Sequence, residues 1–416
     1  MTVRRAGNGP VPGPRGPRVR RGPDNLPVAD VLAGIAFVAV AIASLAFLTG
    51  GLPNGAAGGG DGGPIRTATP SNIVVVDPRT NVPGTILYVK AGNIWLQHGA
   101  KATTLTSGGN DSMASFSADG QWIYFIRTVA QAGLWKINAV PRRFDLETPA
   151  LMRVRTDGST PPEQLLSGGL SSGAYNWSFF LRQPVVSPNG KTIVVVTDGP
   201  DPNTGDVVLK QFDPATGSLT PLNAPEIPPL GHQDPTWSPD GRYLLFVKNA
   251  RDGFRGAPVV MRFDTETGKF VAITGPGYTA PRWSPDGRYI VATRTTTFGT
   301  DVIVLDAVLG TELLRVTSDE RSFDPVWSPA GNALAYFSLD RGVTDLWQVG
   351  LSTTLEPALV GVPLKLTLLA GLDPASRPDW WIPADQLPTP PPTQAPTAPP
   401  TPVSSGSGAT SPTTVP

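Results

Sequence analysis

Trp237-Ser238-Pro239-Asp240-Gly241-Arg242-Tyr243-Leu244-Leu245-Phe246 returns almost letter for letter as Trp283-Ser284-Pro285-Asp286-Gly287-Arg288-Tyr289-Ile290, 46 residues further on. Trp327-Ser328-Pro329-Ala330-Gly331 follows after another 44. A steady period in this range marks a repeat architecture, in which each unit buries its apolar faces against its neighbours.

Each copy reads as a strand end, a tight turn and a second strand. Proline presets φ at the first central turn position, Asp bonds its own backbone, and Gly supplies the positive φ that reverses the chain. The apolar runs that follow, Tyr243 to Val247, Tyr289 to Ala292 and Leu334 to Phe337, read as buried strands. The Trp ahead of each turn suits packing between neighbouring sheets.

Looser copies extend the series. Phe116-Ser117-Ala118-Asp119-Gly120 and Val186-Ser187-Pro188-Asn189-Gly190 lie upstream, and Asp379-Trp380-Trp381-Ile382-Pro383 lies downstream without the Asp-Gly turn. Units therefore start at 116, 186, 237, 283, 327 and 380, which makes six. A second turn of the form Asp-x-x-x-Gly recurs at Asp213, Asp264 and Asp306, giving four strands per unit, the composition of a propeller blade. Thr85 to Lys90, Asn93 to Gln97 and Thr103 to Thr106 look like the last three strands of a blade, and residues 378–382 look like the inner strand they lack. Joined, they close the ring and remove its exposed sheet edges.

With these residues in place, the sequence resembles the TolB-type propeller repeats. The resemblance is carried by the Trp-Ser-Pro-Asp-Gly-Arg-Tyr copies, the preceding Asp234-Pro235 and Asp324-Pro325, and the strands Asn93-Ile94-Trp95 and Asp345-Leu346-Trp347. It covers roughly residues 84–383 and implies six blades with a split closing blade. For function it implies little, since propellers host many unrelated roles. This chain also departs from the family's namesake, a soluble periplasmic protein that binds an outer-membrane lipoprotein. It has an apparent membrane anchor, and only Thr49 to Pro83 stands where the namesake has a separate N-terminal domain.

The fold class expected is all-β: a six-bladed β-propeller of four-stranded antiparallel blades, closed by strands from both ends and preceded by one transmembrane helix. Residues 1–27 hold six arginines against Asp24, spaced by Gly and Pro, and read as a disordered basic cytoplasmic tail. Residues 28–49 are the membrane helix, with Val31 to Leu48 free of charge and long enough to span. Arginines on its N-terminal flank place the N-terminus in the cytoplasm and the propeller outside, so the expected location is the cell membrane, single-pass. A cleaved signal peptide, using Ala41-Ile42-Ala43, is the competing reading. Residues 50–83 read as a flexible Gly-rich linker, 84–383 as the propeller, and 384–416 as a disordered Pro/Thr/Ser-rich tail. Residues 128–150 and 167–183 read as insertions forming long loops on one unit, either contact surface or simple elaboration.

Composition narrows function. Lys+Arg and Asp+Glu balance at 33 each, so no global field argues for nucleic acid. Cysteine is absent, which excludes disulfides, thiol catalysis and thiolate metal sites. Gly169-Leu170-Ser171-Ser172-Gly173 fits the nucleophile-elbow pattern, but it lacks a readable helix after it, and the chain holds only His98 and His232. Asp198, Asp201, Asn203 and Asp206 surround Gly205, yet Phe212 stands where a calcium loop wants a bidentate acid, so an acidic hairpin tip is expected. No catalytic residue, metal or cofactor is assigned.

The position three before each Trp-equivalent holds Met113, Gln183, Asp234, Ala280, Asp324 and Arg377. If all inner strands start on one face, these side chains gather at one mouth of the central channel. Gln183, Asp234, Asp324 and Arg377, with His232 on the same rim, are the candidate binding residues there for a cation, peptide or sugar. The other reading is that Asp-Pro only shapes the start of the strand.

These features suggest a monomeric, non-enzymatic protein-binding or scaffold module of the cell envelope, partnered by an envelope protein or cell-wall component. The alternatives are a ligand-sensing receptor domain and a hydrolase or lactonase with a site at the channel mouth.

Overall fold

The computed structural model describes residues 77–137, 140–200, 206–222, 231–248 and 258–388, all within the unit Val74–Pro416. The predicted basic tail at 1–27, the predicted membrane helix at 28–49, linker residues 50–76 and residues 389–416 of the predicted C-terminal tail lie outside the described residues, while Ala384–Gln386, expected to be disordered, forms a 3-10 turn. Among the described residues no helix is long and apolar enough to cross a membrane.

Six antiparallel sheets form the blades. Blade 1 takes its inner strand, Asp379–Trp381, from the C-terminal end and its others, Thr85–Lys90, Asn93–His98 and Lys101–Thr104, from the N-terminal end. Pairing of Thr85 with Trp381, Ile86 with Trp380 and Leu87 with Asp379 makes the join. The outer strand starts two residues before the expected Thr103. Blade 2 begins at Asp111–Phe116, blade 3 at Leu181–Val186, blade 4 at Gln233–Trp237, blade 5 at Tyr278–Trp283 and blade 6 at Ser322–Trp327. The fold also reaches past 84–383. A short 3-10 turn at Pro78–Asn81 is capped by Asp77, Val82 is buried in the closing joint, and Leu387 packs on the same cluster.

One blade departs from four strands. The expected loops at 128–150 and 167–183 are strands instead: Trp122–Ile137 pairs along its whole length with Val140–Arg155, and a hairpin of Gly169–Ser172 with Tyr175–Ser178 joins the same sheet at Leu134 and Asn176. Blade 2 therefore has six strands, and its central hairpin runs out of the ring as a two-stranded ribbon. The sequence hides this because beyond the blade both ribbon faces meet solvent. Backbone pairing and a few local aromatic contacts hold that stretch, and no regular apolar period is imposed on it.

The core lies between blades. Leu244 and Phe246 face blade 3, packing with Val194, Leu209 and Phe263, while Leu245 and Val247 face blade 5, packing with Val260, Ile290 and Ile303. Successive strand residues point to opposite faces, so a sheet covered on both sides needs an unbroken apolar run. The other four joints are filled alike, the closing one by Trp380, Ile86, Phe337 and Leu346. Each fully buried Leu or Phe contributes about 1.5–3 kcal/mol.

The Ser-Pro-Asp-Gly turn explains itself once its bonds are traced. Ser238 Oγ donates to Asp240 Oδ1 (2.5 Å) and accepts from Tyr243 N (2.8 Å), while Asp240 Oδ1 also accepts from Arg242 N (3.0 Å). The same triangle forms at Ser117, Ser187 and Ser284, with Asn189 as acceptor in blade 3. Hydrogen bonding by the serine hydroxyl holds the Asp119 and Asp240 carboxyls below their ordinary range. In blade 6 Ala330 replaces the Asp, and Ser328 Oγ is left accepting only from Ala330 N at 3.3 Å.

Ser238→Ala and Ser284→Ala should each cost about 1–3 kcal/mol in urea unfolding, because a buried two-bond hydroxyl is lost, while Ser328→Ala should cost less. Gly120 sits at φ +67 with the space for a Cβ already occupied, 1.9 Å from a ring carbon of Trp381. Gly120→Ala should therefore unseat the closing blade, seen as a loss of thermal stability larger than that of Gly190→Ala, where the same left-handed turn meets nothing within 4 Å.

Candidate functional site

The inner strands share one irregularity. Pairing with the second strand slips between Ser112 and Ser115, Arg182 and Val185, Gln233 and Thr236, Thr279 and Arg282, and Phe323 and Val326. At each slip the residue three before the Trp-equivalent is left-handed: Met113 (φ 53), Gln183 (φ 49), Asp234 (φ 57), Ala280 (φ 49) and Asp324 (φ 50). Such a bulge leaves a residue out of the ladder, which is where a proline, having no N–H, does least harm. Proline follows at 184, 235, 281 and 325. So the Asp-Pro pairs do shape the backbone, and the bulge also re-aims their side chains.

Left-handed backbone at residues other than glycine costs of order 1–3 kcal/mol and needs support from its surroundings. Side chains of the preceding blade give that support. Ser376 Oγ accepts from Met113 N (2.9 Å), Gln183 Oε1 from Asp234 N (2.8 Å), Asp234 Oδ2 from Ala280 N (3.0 Å), and Thr293 Oγ1 from Asp324 N (2.9 Å). Where blade 5 has Ala280, which has no acceptor to offer, Thr293 of its second strand does the work.

Three of the predicted residues meet in the channel. Gln183 Nε2 donates to Asp234 Oδ1 (2.7 Å), and Arg377 reaches across the ring from blade 1 to blade 4, with Nη1 3.5 Å from Asp234 Oδ1 and Nη2 donating to Pro235 O (3.4 Å). Around Met113, Gln183, Arg282 and Arg377 only about 10 Å³ remains, room for one water at most. These residues constrict the channel by binding one another. Asp324 stands apart: no described residue hydrogen-bonds its carboxylate, and burial together with the nearby Asp234 charge pushes its pKa up to about 7. His232 is buried between blades 3 and 4, its ring 4.6 Å from that of Phe246 and its Nδ1 accepting from Leu209 N (3.4 Å).

The wide opening is on the other side, where the Ser-Pro turns converge. A cavity of about 380 Å³ there is ringed by the residues immediately before each Trp-equivalent: Ser115, Val185, Thr236, Arg282, Val326 and Asp379. Sequence reading passed over this ring, although shifting the same alignment by two positions exposes one cation and one carboxylate among small or β-branched residues. Both Asp379 oxygens are engaged, Oδ2 by Phe116 N (2.9 Å) and Oδ1 by Trp380 N (3.1 Å). Arg282 forms no hydrogen bond or ion pair with any described residue. Its enclosed position, with Arg377 beside it, pushes its pKa down to about 10 although Asp379, Asp234 and Asp324 pull the other way.

Other sequence candidates fall away. Gly169 to Ser172 is a strand followed by a hairpin turn, so the strand-to-helix elbow a nucleophile needs is not built. Asp198 Oδ1 accepts from Phe180 N (2.6 Å), and residues 201–205 lie outside the described residues. Among the described residues no three metal-ligating side chains cluster.

No protein-family model matches the chain, and no curated protein matches it. Solved structures of TolB-like six-bladed β-propellers are similar to it. A TolB-like protein from Agrobacterium tumefaciens shares 16% identity over 70% of this chain and 90% of that one, with a TM-score of 0.49. TolB from Acinetobacter baumannii shares 19% over 71% of this chain and 66% of its own, also at 0.49. Oligogalacturonate lyase from Vibrio parahaemolyticus shares 12% over 64% and 90%, at 0.40.

Asp324 makes stability depend on pH in a defined direction. Its carboxyl has an ordinary value of 3.8 and is raised to about 7 in the fold. Between those values the folded state keeps a proton that the unfolded chain has released, so stability falls as pH rises through the window and levels off above it. Urea midpoints at about pH 5 and about pH 8 should therefore differ more in the wild type than in Asp324→Asn. Equal differences would mean the carboxyl titrates normally.

Proposed function

We propose that this chain is a membrane-anchored, extracytoplasmic propeller that acts as a non-enzymatic, protein-binding scaffold module of a cell envelope. The anchor and its orientation rest on the apolar run 31–48 and the arginine-rich leader before it.

The blade 2 ribbon carries this reading. It projects from the side of the ring opposite the Ser-Pro turns and offers aromatic surface on a rigid support. Trp135 packs edge-on against Trp177 (4.8 Å between ring centres) and Tyr175 (6.0 Å), and Lys136 lies over the Tyr175 ring. Trp135, Phe144, Val129 and Val140 are exposed, with Arg142 and Arg143 between them. Trp, Tyr, Phe and Arg are the residues enriched where protein partners dock, because they bury much area for little lost side-chain freedom. Phe144 also covers Gly133, whose missing Cβ would lie 2.5 Å from the ring, so its orientation is fixed before any partner arrives. Meanwhile Gln183, Asp234 and Arg377, which a channel-mouth enzyme would need, are spent on one another.

Photo-crosslinkers placed at positions 135 and 144 of the full chain in membranes should capture an envelope protein. The double variant Trp135→Ala/Phe144→Ala should lose that partner at least about tenfold, the loss expected from two aromatic anchors, with thermal unfolding little changed because both lie outside the inter-blade cores. Undiminished co-purification of that partner with the double variant, or capture only by crosslinkers at the channel mouth, would reject this surface.

A further inference from the structure

The cavity on the Ser-Pro side holds an unsatisfied cation. Around its wall the polar groups are nearly all committed: Ser115 Oγ donates to Pro184 O (2.8 Å), and Asp379 is held by two backbone N–H groups. Two groups are not. The Arg282 guanidinium, which lines both this cavity and the constriction beneath it, has no bonded partner among the described residues, and its Nε is fully enclosed. On the adjacent inner strand, the Thr236 hydroxyl forms no hydrogen bond to a described residue either. A partly enclosed guanidinium that makes no hydrogen bond has lost hydration without gaining bonds in exchange, a deficit that a ligand acceptor at this mouth would make good.

We infer that this mouth is a binding site for a small carboxylate with an apolar body, its carboxylate paired with Arg282 and hydrogen-bonded by Thr236. The upper wall sets the second half of that description. Trp237, Trp283 and Trp327 stand around the cavity with Pro188, Pro239 and Pro285, a collar that offers apolar and aromatic contact and little hydrogen bonding. Arg377 and the carboxylates Asp379, Asp234 and Asp324 all act on Arg282, so a doubly charged anion meets more repulsion at this mouth than a singly charged one. Gln183, Asp234 and Arg377 constrict the channel on the far side of this site.

Benzoate, its neutral counterpart benzamide, and inorganic phosphate separate the possibilities, titrated against the full chain in detergent by calorimetry and tryptophan fluorescence. Benzoate should bind saturably in the millimolar range or better, benzamide should not, and phosphate should be weaker. Arg282→Gln should weaken benzoate by about tenfold or more, Arg282→Lys should restore part of it, and Thr236→Val should weaken it by a smaller factor. Benzoate affinity should also rise from about pH 8 to about pH 6 as Asp324 takes up a proton, and Asp324→Asn should abolish that slope. Equal binding of benzoate and benzamide to the wild type overturns the site without any variant, so a poorly folding Arg282→Gln does not shield it. Phosphate binding more tightly than benzoate overturns the carboxylate assignment, and unchanged binding in Arg282→Gln overturns the role of the guanidinium.

Discussion

A hydrogen bond from the bulged backbone of one blade to a side chain of the blade before it holds this ring at its narrowest radius. The bulge forces five residues other than glycine into left-handed conformations, a strain that no local contact offsets. At four of the five, Gln183, Asp234, Thr293 and Ser376 offset it from next door, each accepting the N–H that the bulge has turned out of its own sheet. The same acceptors fix the angle between neighbouring blades. Strain within a blade and cohesion between blades are thus one arrangement, and the apolar joints outside it fill the space that this angle leaves.

The charge balance of the channel follows from where each side chain starts. Arg377 begins at the constriction and spans it, reaching Asp234 on the opposite blade. Arg282 begins two positions nearer the Ser-Pro turns, where the ring is wider, and stops without a partner. Asp324 is enclosed at the constriction, and burial, with the Asp234 charge nearby, makes it retain its proton up to about neutral pH. The channel therefore has a sealed end, where Gln183, Asp234 and Arg377 bind one another, and an open end where Arg282 makes no bond with a described residue.

Blade 2 uses a different principle. Its ribbon extends beyond the joints that stabilise every other strand, supported by ladder bonds along sixteen residues and by the short hairpin that pairs beside it at Leu134, near its outer end. A rigid strand pair with aromatic side chains exposed at its outer end presents a surface at little entropic cost, which is how a closed ring acquires a directional feature.

Much of this was legible in the chain. The Trp-Ser-Pro-Asp-Gly copies fixed six units, because the turn's own hydrogen bonds demand those residues at that spacing, and unbroken apolar runs such as Leu244 to Val247 announced sheets covered on both faces. Split closure was readable from an inner strand near 380 with no successor and outer strands near 85 with no predecessor. The positions of Gln183, Asp234, Asp324 and Arg377 along their strands were readable too. What they do there was not, since whether Arg377 reaches the Asp234-Pro235 pair depends on the width of a ring that brings together residues 142 apart in sequence. The ribbon escaped notice because solvent on both faces imposes no pattern, and Arg282 because its lack of a partner is a fact about its neighbours in space. Sequence determined the repeat, since hydrogen bonds within each turn are local. Tertiary structure decided which charges are spent and which are free, because that depends on distances across a channel that no single blade contains.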